Sequence, residues 1–193
     1  MSIRNYEVFG GMKFIQTPIA DVVLIEPQVF GDARGFFMET WQAEKFKAAG
    51  IDATFVQDNH SRSSQWTLRG LHLQVRQTQG KLVRVTFGSV FDVVVDLRRS
   101  SPSFGASWGI ELSAENHRML WVPPGLAHGI LITSEGADFL YKCTELYSPE
   151  HERTLAWDDA TLGIRWPLPA GVAPKLSAKD ARGASFAEIE KFA

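Results

Sequence analysis

Residues 55–81 read FVQDNHSRSSQWTLRGLHLQVRQTQGK. Within them lie two histidines (His60, His72), four basic side chains (Arg62, Arg69, Arg76, Lys81), one acid (Asp58) and several amides, interleaved with the apolar runs FV, TL and LHL. A strand with one buried face shows apolar residues on that face and inert polar residues on the other. Here the polar set includes groups that move protons and bind anions. The stretch therefore predicts a strand pair lining a polar cavity.

The rest of the chain supports an all-β reading. Asp21–Ile25 is a short β-branched run ended by Pro27, and Phe36–Trp41 is a strand after a turn over Val29–Gly35. Residues 42–49 are the clearest helix, with Phe46 as the inner residue and Gly50 as the stop. Beyond them come closely spaced apolar runs at 81–87, 89–97, 107–112, 118–122, 127–133 and 139–146. Gly88-Ser89 suits a tight hairpin between the first two. Short strands punctuated by Gly and Pro predict an antiparallel jelly-roll sandwich or barrel. Residues 1–18 read as an arm or edge strand, 19–157 as the jelly-roll, and 158–193 as a wrap ending in a helical turn near Phe186–Phe192.

Composition narrows the function. A chain of 193 residues suits one domain with a real core. A net charge of −2 gives no general case for nucleic acid or an acidic membrane. The single cysteine, Cys143, excludes an internal disulfide framework. No apolar run approaches the roughly 18 residues of a membrane span. The N-terminal stretch MSIRNYEVFGGMKF lacks the apolar region of a secretory signal, so a cytoplasmic protein is expected.

Eight segments taken together resemble one family. They are Phe30–Glu39, Val56–Ser64, Leu68–His72, Gln79–Arg84, Leu112–Asn116, Pro124–Gly129, Phe139–Lys142 and Leu176–Asp180. In this order and density they are similar to dTDP-4-dehydrorhamnose 3,5-epimerases. The resemblance implies a cupin-type jelly-roll barrel with a few short peripheral helices, a homodimer, and a dTDP-4-keto-6-deoxy sugar as partner. It also implies the reaction. Protons at C3 and C5 lie α to the C4 ketone, so epimerisation needs a base on one face, an acid on the other and a donor for the enolate oxygen.

By that resemblance His72 is the base and Asp180 orients it. Tyr141 is the opposite-face acid, and Lys81 stands at the enolate oxygen. Arg34 and Arg69 suit the diphosphate, because guanidinium forks grip phosphate bidentately. Glu39, Gln57, Asp58, Asn59, His128, Glu152 and Lys179 match nucleotide-sugar positions. Tyr147 stands where the family stacks an aromatic on thymine, although Leu146-Tyr147 replaces the two aromatics of many members. On local pattern alone each has a plainer reading: His72 as a core histidine, Asp180 as a solvated tail acid, Tyr141 as a core tyrosine, Lys81 as a surface lysine. His60 is read as hydrogen-bonding within its loop, and His117 and His151 as exposed residues in charged contexts.

No metal or other cofactor is expected. Metal-binding cupins pair two histidines one residue apart, and here His72-Leu73-Gln74 puts an amide in the second place. Two alternatives stay open: an epimerase acting at C3 only, and a non-catalytic cupin that senses a sugar nucleotide.

Overall fold

The computed structural model describes residues 6–193. In chain order the strands are β1 (Tyr6–Phe9), β2 (Met12–Gln16), β3 (Val23–Glu26), β4 (Val29–Asp32) and β5 (Gly35–Met38). After helix α1 (Ala43–Ala48) come β6 (Gln57–Ser64), β7 (Leu68–Gln74), β8 (Lys81–Phe87), β9 (Ser89–Asp96) and β10 (Ser107–Ser113). The last are β11 (Met119–Val122), β12 (Leu126–Ile132), β13 (Gly136–Cys143) and β14 (Glu152–Thr154). Two antiparallel sheets face each other. One has the order β1-β2-β3-β11-β8-β13-β6, the other β10-β9-β12-β7-β14. The jelly-roll is thus an open sandwich rather than a closed barrel.

The period-2 rule explains how the apolar runs fill three layers. In β9, Val90 and Val94 point into the sandwich against Val83, Val85, Leu120 and Ile130. Their neighbours Val93 and Val95 point outward, to Leu155, Leu162 and Ile189 of the C-terminal wrap. The outer face of the larger sheet is covered in the same way. Phe46 of α1 packs on Phe14, Ile25, Leu82 and Trp121. A strand buried on both faces reads as an unbroken hydrophobic run, and Met119–Val122 is buried at every residue.

Several local expectations change. Gly88 does not close a hairpin. β8 and β9 belong to opposite sheets, and Gly88 is the corner between them, with φ +70° and no room for a Cβ, which would lie 2.0 Å from the Gly136 carbonyl oxygen. β6 and β7 likewise fall in different sheets, so they line the space between the sheets from opposite sides instead of pairing. The turn expected over Val29–Gly35 is the β4–β5 hairpin, paired from Val29↔Met38 to Asp32↔Gly35 and joined to neither sheet. Of the two readings of the N-terminal stretch, arm or edge strand, its described part takes the second, since β1 and β2 end the larger sheet with Met12 and Phe14 buried. The helix is capped by Gln42, whose Oε1 accepts from the Lys45 N–H. The end of the chain makes a single turn over Phe186–Glu188, and the short 3-10 helix lies earlier, at Asp180–Arg182. Among the described residues no helix is long and apolar enough to cross a membrane.

One buried charge pins the loop after β9. The Asp96 carboxylate, fully buried, accepts from the Arg98 guanidinium (2.9 and 3.0 Å), Ser101 Oγ (2.6 Å) and Ser103 Oγ (2.7 Å). Arg98 continues to Asp21 and to the Ala20 carbonyl. Burial opposes the charge on Asp96, but these donors outweigh it and hold the pKa at about 2. A depressed carboxyl stabilises the fold above the unfolded-state value and loses that contribution as pH falls through the folded-state value. Asp96→Asn should therefore lower the unfolding free energy by about 2 kcal/mol at pH 7, and the gap to the wild type should close between about pH 4 and pH 2. Urea unfolding across that range measures both.

Candidate active site

Between the two sheets opens a cavity of about 340 Å³. One wall comes from the larger sheet: Gln57 and Asn59 on β6, Lys81 on β8, Tyr141 and Cys143 on β13. The other comes from the smaller sheet: Arg69 and His72 on β7, His128 on β12, Glu152 on β14. Tyr147 and Lys179 close the rim from loops. Strand alternation selects these residues. On β6 it turns Gln57 and Asn59 inward and Asp58 outward, where Asp58 pairs with Lys142 at 2.7 Å.

His72 Nε2 lies 2.5 Å from the Asp180 carboxylate, across 108 residues of sequence. Asp180 is almost fully buried on the 3-10 helix and also accepts from Ser177 Oγ at 2.7 Å, while its own N–H donates to Ser177 Oγ at 3.1 Å. Burial works against the Asp180 charge, but the His72 and Ser177 bonds prevail and keep its pKa below the usual carboxylate value. The carboxylate can thus fix the imidazole's orientation and stabilise a protonated ring. Nε2 is committed to Asp180, which leaves Nδ1 for a substrate.

The facing wall has the complementary chemistry. Burial raises the Tyr141 pKa, so its phenol keeps its proton at neutral pH. Burial lowers the Lys81 pKa, so its ammonium gives up a proton more readily than in water. Between them Cys143 is fully buried, and burial keeps its thiol protonated. On the smaller sheet His128 Nε2 sits 2.9 and 3.0 Å from the two oxygens of the buried Asp92. At the rim Glu152 joins Tyr147 Oη (2.9 Å) to Lys179 Nζ (2.8 Å). Burial opposes the Glu152 charge and these two donors overcome it.

The structure thus gathers ten expected residues around one cavity, namely Gln57, Asn59, Arg69, His72, Lys81, His128, Tyr141, Tyr147, Glu152 and Lys179, with Asp180 directly behind His72. Three stand elsewhere. Asp58 faces away from the cavity, Arg34 is exposed and bound to Asp32 at 2.6 Å, and Glu39 pairs with Lys45 at 2.7 Å. Three further residues were given no site role from the sequence. Ser177 was signalled by Ser-x-x-Asp, the spacing of a reciprocal cap. Asp92 was signalled by an acid inside a valine-rich strand. The third, Gln74, sits two residues after His72 on the same face of β7. Its amide bonds to three backbone groups of neighbouring loops. Among the described residues no three His, Cys, Asp or Glu side chains converge as a metal cluster.

The sequence pattern of the dTDP-4-dehydrorhamnose 3,5-epimerases matches residues 16–188. The chain belongs to this family. It is 56% identical to the dTDP-4-dehydrorhamnose 3,5-epimerase of Pseudomonas aeruginosa over 182 residues, 94% of this chain and 99% of that one. Among solved structures it is similar to the 3,5-epimerase of Legionella pneumophila in complex with dTDP-4-keto-L-rhamnose. There the TM-score is 0.89 at 49% identity, covering 93% of this chain and 95% of that one. The enzyme of Bacillus anthracis with TDP and pyrophosphate bound gives a TM-score of 0.86 at 43% identity, covering 90% and 99%. The family, the cupin-type β fold and the isomerase activity expected from the sequence are those of these relatives.

Within this family the His72–Asp180 pair should carry the largest kinetic effect. His72→Asn, which removes the imidazole and keeps the size, should lower kcat by roughly 10²- to 10⁴-fold if the ring is the base that the resemblance implies. Steady-state rates with the fold checked by circular dichroism would show it.

Proposed function

We propose that the cavity binds a dTDP-linked 4-keto-6-deoxy sugar and epimerises it at C3 and C5 by paired proton transfers. The observation that carries the assignment of roles is the wall-to-wall arrangement: His72, backed by Asp180, opposite Tyr141 and Lys81. His72 Nδ1 takes the proton α to the ketone, and the electron pair moves through the C–C bond onto the C4 oxygen. Lys81 donates to that oxygen as charge develops there. Tyr141 then delivers a proton to the opposite face of the same carbon, the C4 carbonyl re-forms, and the configuration is inverted. The phenolate then takes a proton from solvent, and His72 gives its own proton to solvent. A second cycle at the other α carbon completes the reaction. Arg69 and Lys179 are the cationic side chains of the cavity suited to the diphosphate, and Tyr147 offers its half-exposed ring to the thymine.

This division of labour separates proton removal from inversion. In deuterium oxide, NMR of the reacting sugar should show deuterium at both C3 and C5. Exchange at C3 alone would assign the C3-only reaction, and exchange at neither carbon would remove the epimerase reading. In Tyr141→Phe, exchange should persist while net inversion falls by about 10²-fold or more, because His72 can return deuterium to the face it came from. Equal loss of exchange and inversion would take the acid role from Tyr141.

The active form is proposed to be a homodimer. The β4–β5 hairpin holds Phe30, Phe36 and Phe37 at 55%, 60% and 71% exposure, and edge strand β1 adds Tyr6 at 58%. Apolar side chains in such numbers on one projecting ribbon mark a surface that is covered in use. Arg34 sits at the hairpin tip, away from its own chain's cavity, so it would serve the cavity of a second copy. Light scattering at micromolar concentration should give twice the 21.5 kDa chain mass. A mixture of Arg34→Ala and His72→Asn proteins, each nearly inactive, should regain activity as mixed dimers form. A monomer, or no recovery on mixing, would refute the shared site.

A further inference from the structure

Tyr147 is held in an unusual way for a residue offered as a stacking platform. Its ring is half exposed, and among the described residues it makes no close aromatic pair. What fixes it is a set of polar ties to its own backbone and to its hydroxyl tip. Tyr147 N–H donates to Gln57 Oε1 at 2.9 Å. The residues on either side are both tied to one amide, that of Gln74: Gln74 Nε2 donates to the Leu146 carbonyl at 3.2 Å, and Gln74 Oε1 accepts from the Ser148 N–H at 2.9 Å. Gln74 Nε2 also donates to the Gln77 carbonyl at 2.7 Å. The Tyr147 hydroxyl donates to Glu152 at 2.9 Å.

From this geometry we infer that Gln74 is a positioning residue for nucleotide recognition, which sets the height and tilt of the Tyr147 ring by clamping the backbone on both sides of it. The inference rests on the proposed role of Tyr147 as the surface on which the base stacks. Gln74 is the right group for the task. It is buried, with 6% of its surface exposed, at the end of β7, so its own position is set by the sheet. An amide supplies two donors and an acceptor from one planar group, and here both donors and the acceptor meet backbone partners. A buried donor or acceptor left unpaired is costly, so loss of this amide should let the 146–148 segment move toward water. Gln57, on the opposite sheet, ties the residue between. The platform thus hangs between the two walls of the sandwich, and its placement relative to His72 follows from the distance between them. Gln74 reaches no reacting atom in this scheme; its effect should fall on substrate binding more than on turnover.

The test is a double-mutant cycle on the intact enzyme, read as binding of dTDP by calorimetry and as kcat and KM with the dTDP-sugar. Tyr147→Ala should weaken dTDP by roughly 5- to 150-fold, the range for losing one base–aromatic stack. Gln74→Met, equal in length and without hydrogen bonds, should weaken dTDP by at least about fivefold and raise KM by more than it lowers kcat. Gln74→Glu keeps the acceptor for Ser148 but sets carboxylate oxygens against two carbonyls, so it should behave like Gln74→Met. It also serves if the Met variant does not fold. In the Tyr147→Ala background the Gln74 substitution should add less than twofold. Full additivity of the two losses, or a Gln74 effect confined to kcat, would overturn the inference while leaving the platform role standing. Unchanged dTDP binding in Tyr147→Ala would instead overturn the platform role, and the inference with it. Pyrophosphate binding is the internal control. It should be the same in wild type and Gln74→Met, and a parallel loss would show general damage to the cavity and refute a base-specific role.

Discussion

The contact between His72 and Asp180 governs the rest of the architecture. It joins the middle of a central strand to a residue 108 positions later, so the C-terminal tail has to be laid across the smaller sheet with fixed register. Three bridges do this: Thr67 to Lys175, Leu155 to Ala184 and Arg98 to Phe192. Apolar anchors between them, Leu162 and Ile189, occupy the outer valine face of β9. The wrap therefore serves two ends. It covers a sheet face that would otherwise be open to water, and it carries a carboxylate behind the imidazole where solvent cannot screen it. Ser177 turns the backbone so that the acid arrives already hydrogen-bonded, which limits the cost of burying its charge.

A polar cavity inside a β-sandwich has to be balanced, because each buried charge without a partner would oppose folding. The walls show how this is achieved. His128 leans on Asp92, His72 on Asp180, and Lys179 on Glu152. Lys81 and Arg69 line the cavity without a carboxylate in hydrogen-bonding distance among the described residues, Arg69 reaching only Ser63 Oγ. Two cations without acid partners in a site of this size are complementary to an anion and to an oxygen that gains charge during reaction. The lowered pKa of Lys81 and the raised pKa of Tyr141 have the same origin in burial. Burial brings Lys81 closer to the pH at which it exchanges a proton, whereas it makes Tyr141 a weaker acid, whose phenol stays protonated in the resting cavity.

Much of this was legible in the sequence, and the limits follow from physics. The spacing of short apolar runs fixed the all-β class, because period-2 burial leaves a direct trace in residue order. Helix α1 was legible through different signals, the single inner residue Phe46 and the glycine stop at Gly50. Which strand lies in which sheet was not. Gly88-Ser89 looks like a hairpin turn, but local sequence cannot distinguish a turn that pairs its flanking strands from a corner that sends them to opposite sheets. The site residues divide along a similar line. His72, Lys81 and Tyr141 stand on strands whose alternation directs them inward, whereas Asp180 could be joined to His72 only by resemblance, since nothing local encodes a contact over 108 residues. Arg34 and Glu39 show the opposite limit. A resemblance assigns a residue to a site without saying whose site it is, and in a single chain both lie outside the cavity.

Gln74 shows how one position can exchange one kind of order for another. It shares a face of β7 with His72, in the place where a metal-binding cupin has a second histidine. A histidine there would direct a nitrogen into the cavity and spend it on an ion. An amide of similar reach cannot hold a transition metal well, but it can satisfy backbone groups on both sides of a loop. In the proposed mechanism the enolate oxygen is met instead by Lys81 on the opposite wall. The Gln74 amide also gives the loop carrying Tyr147 a support anchored in the sheet that bears His72. In the proposed scheme, chemistry at one end of the substrate and recognition at the other share one strand, two positions apart at His72 and Gln74. Any shift of β7 would disturb both together, and its outward-facing Leu71 and Leu73 are packed in one cluster with Leu155, Leu162 and Ile189 of the tail.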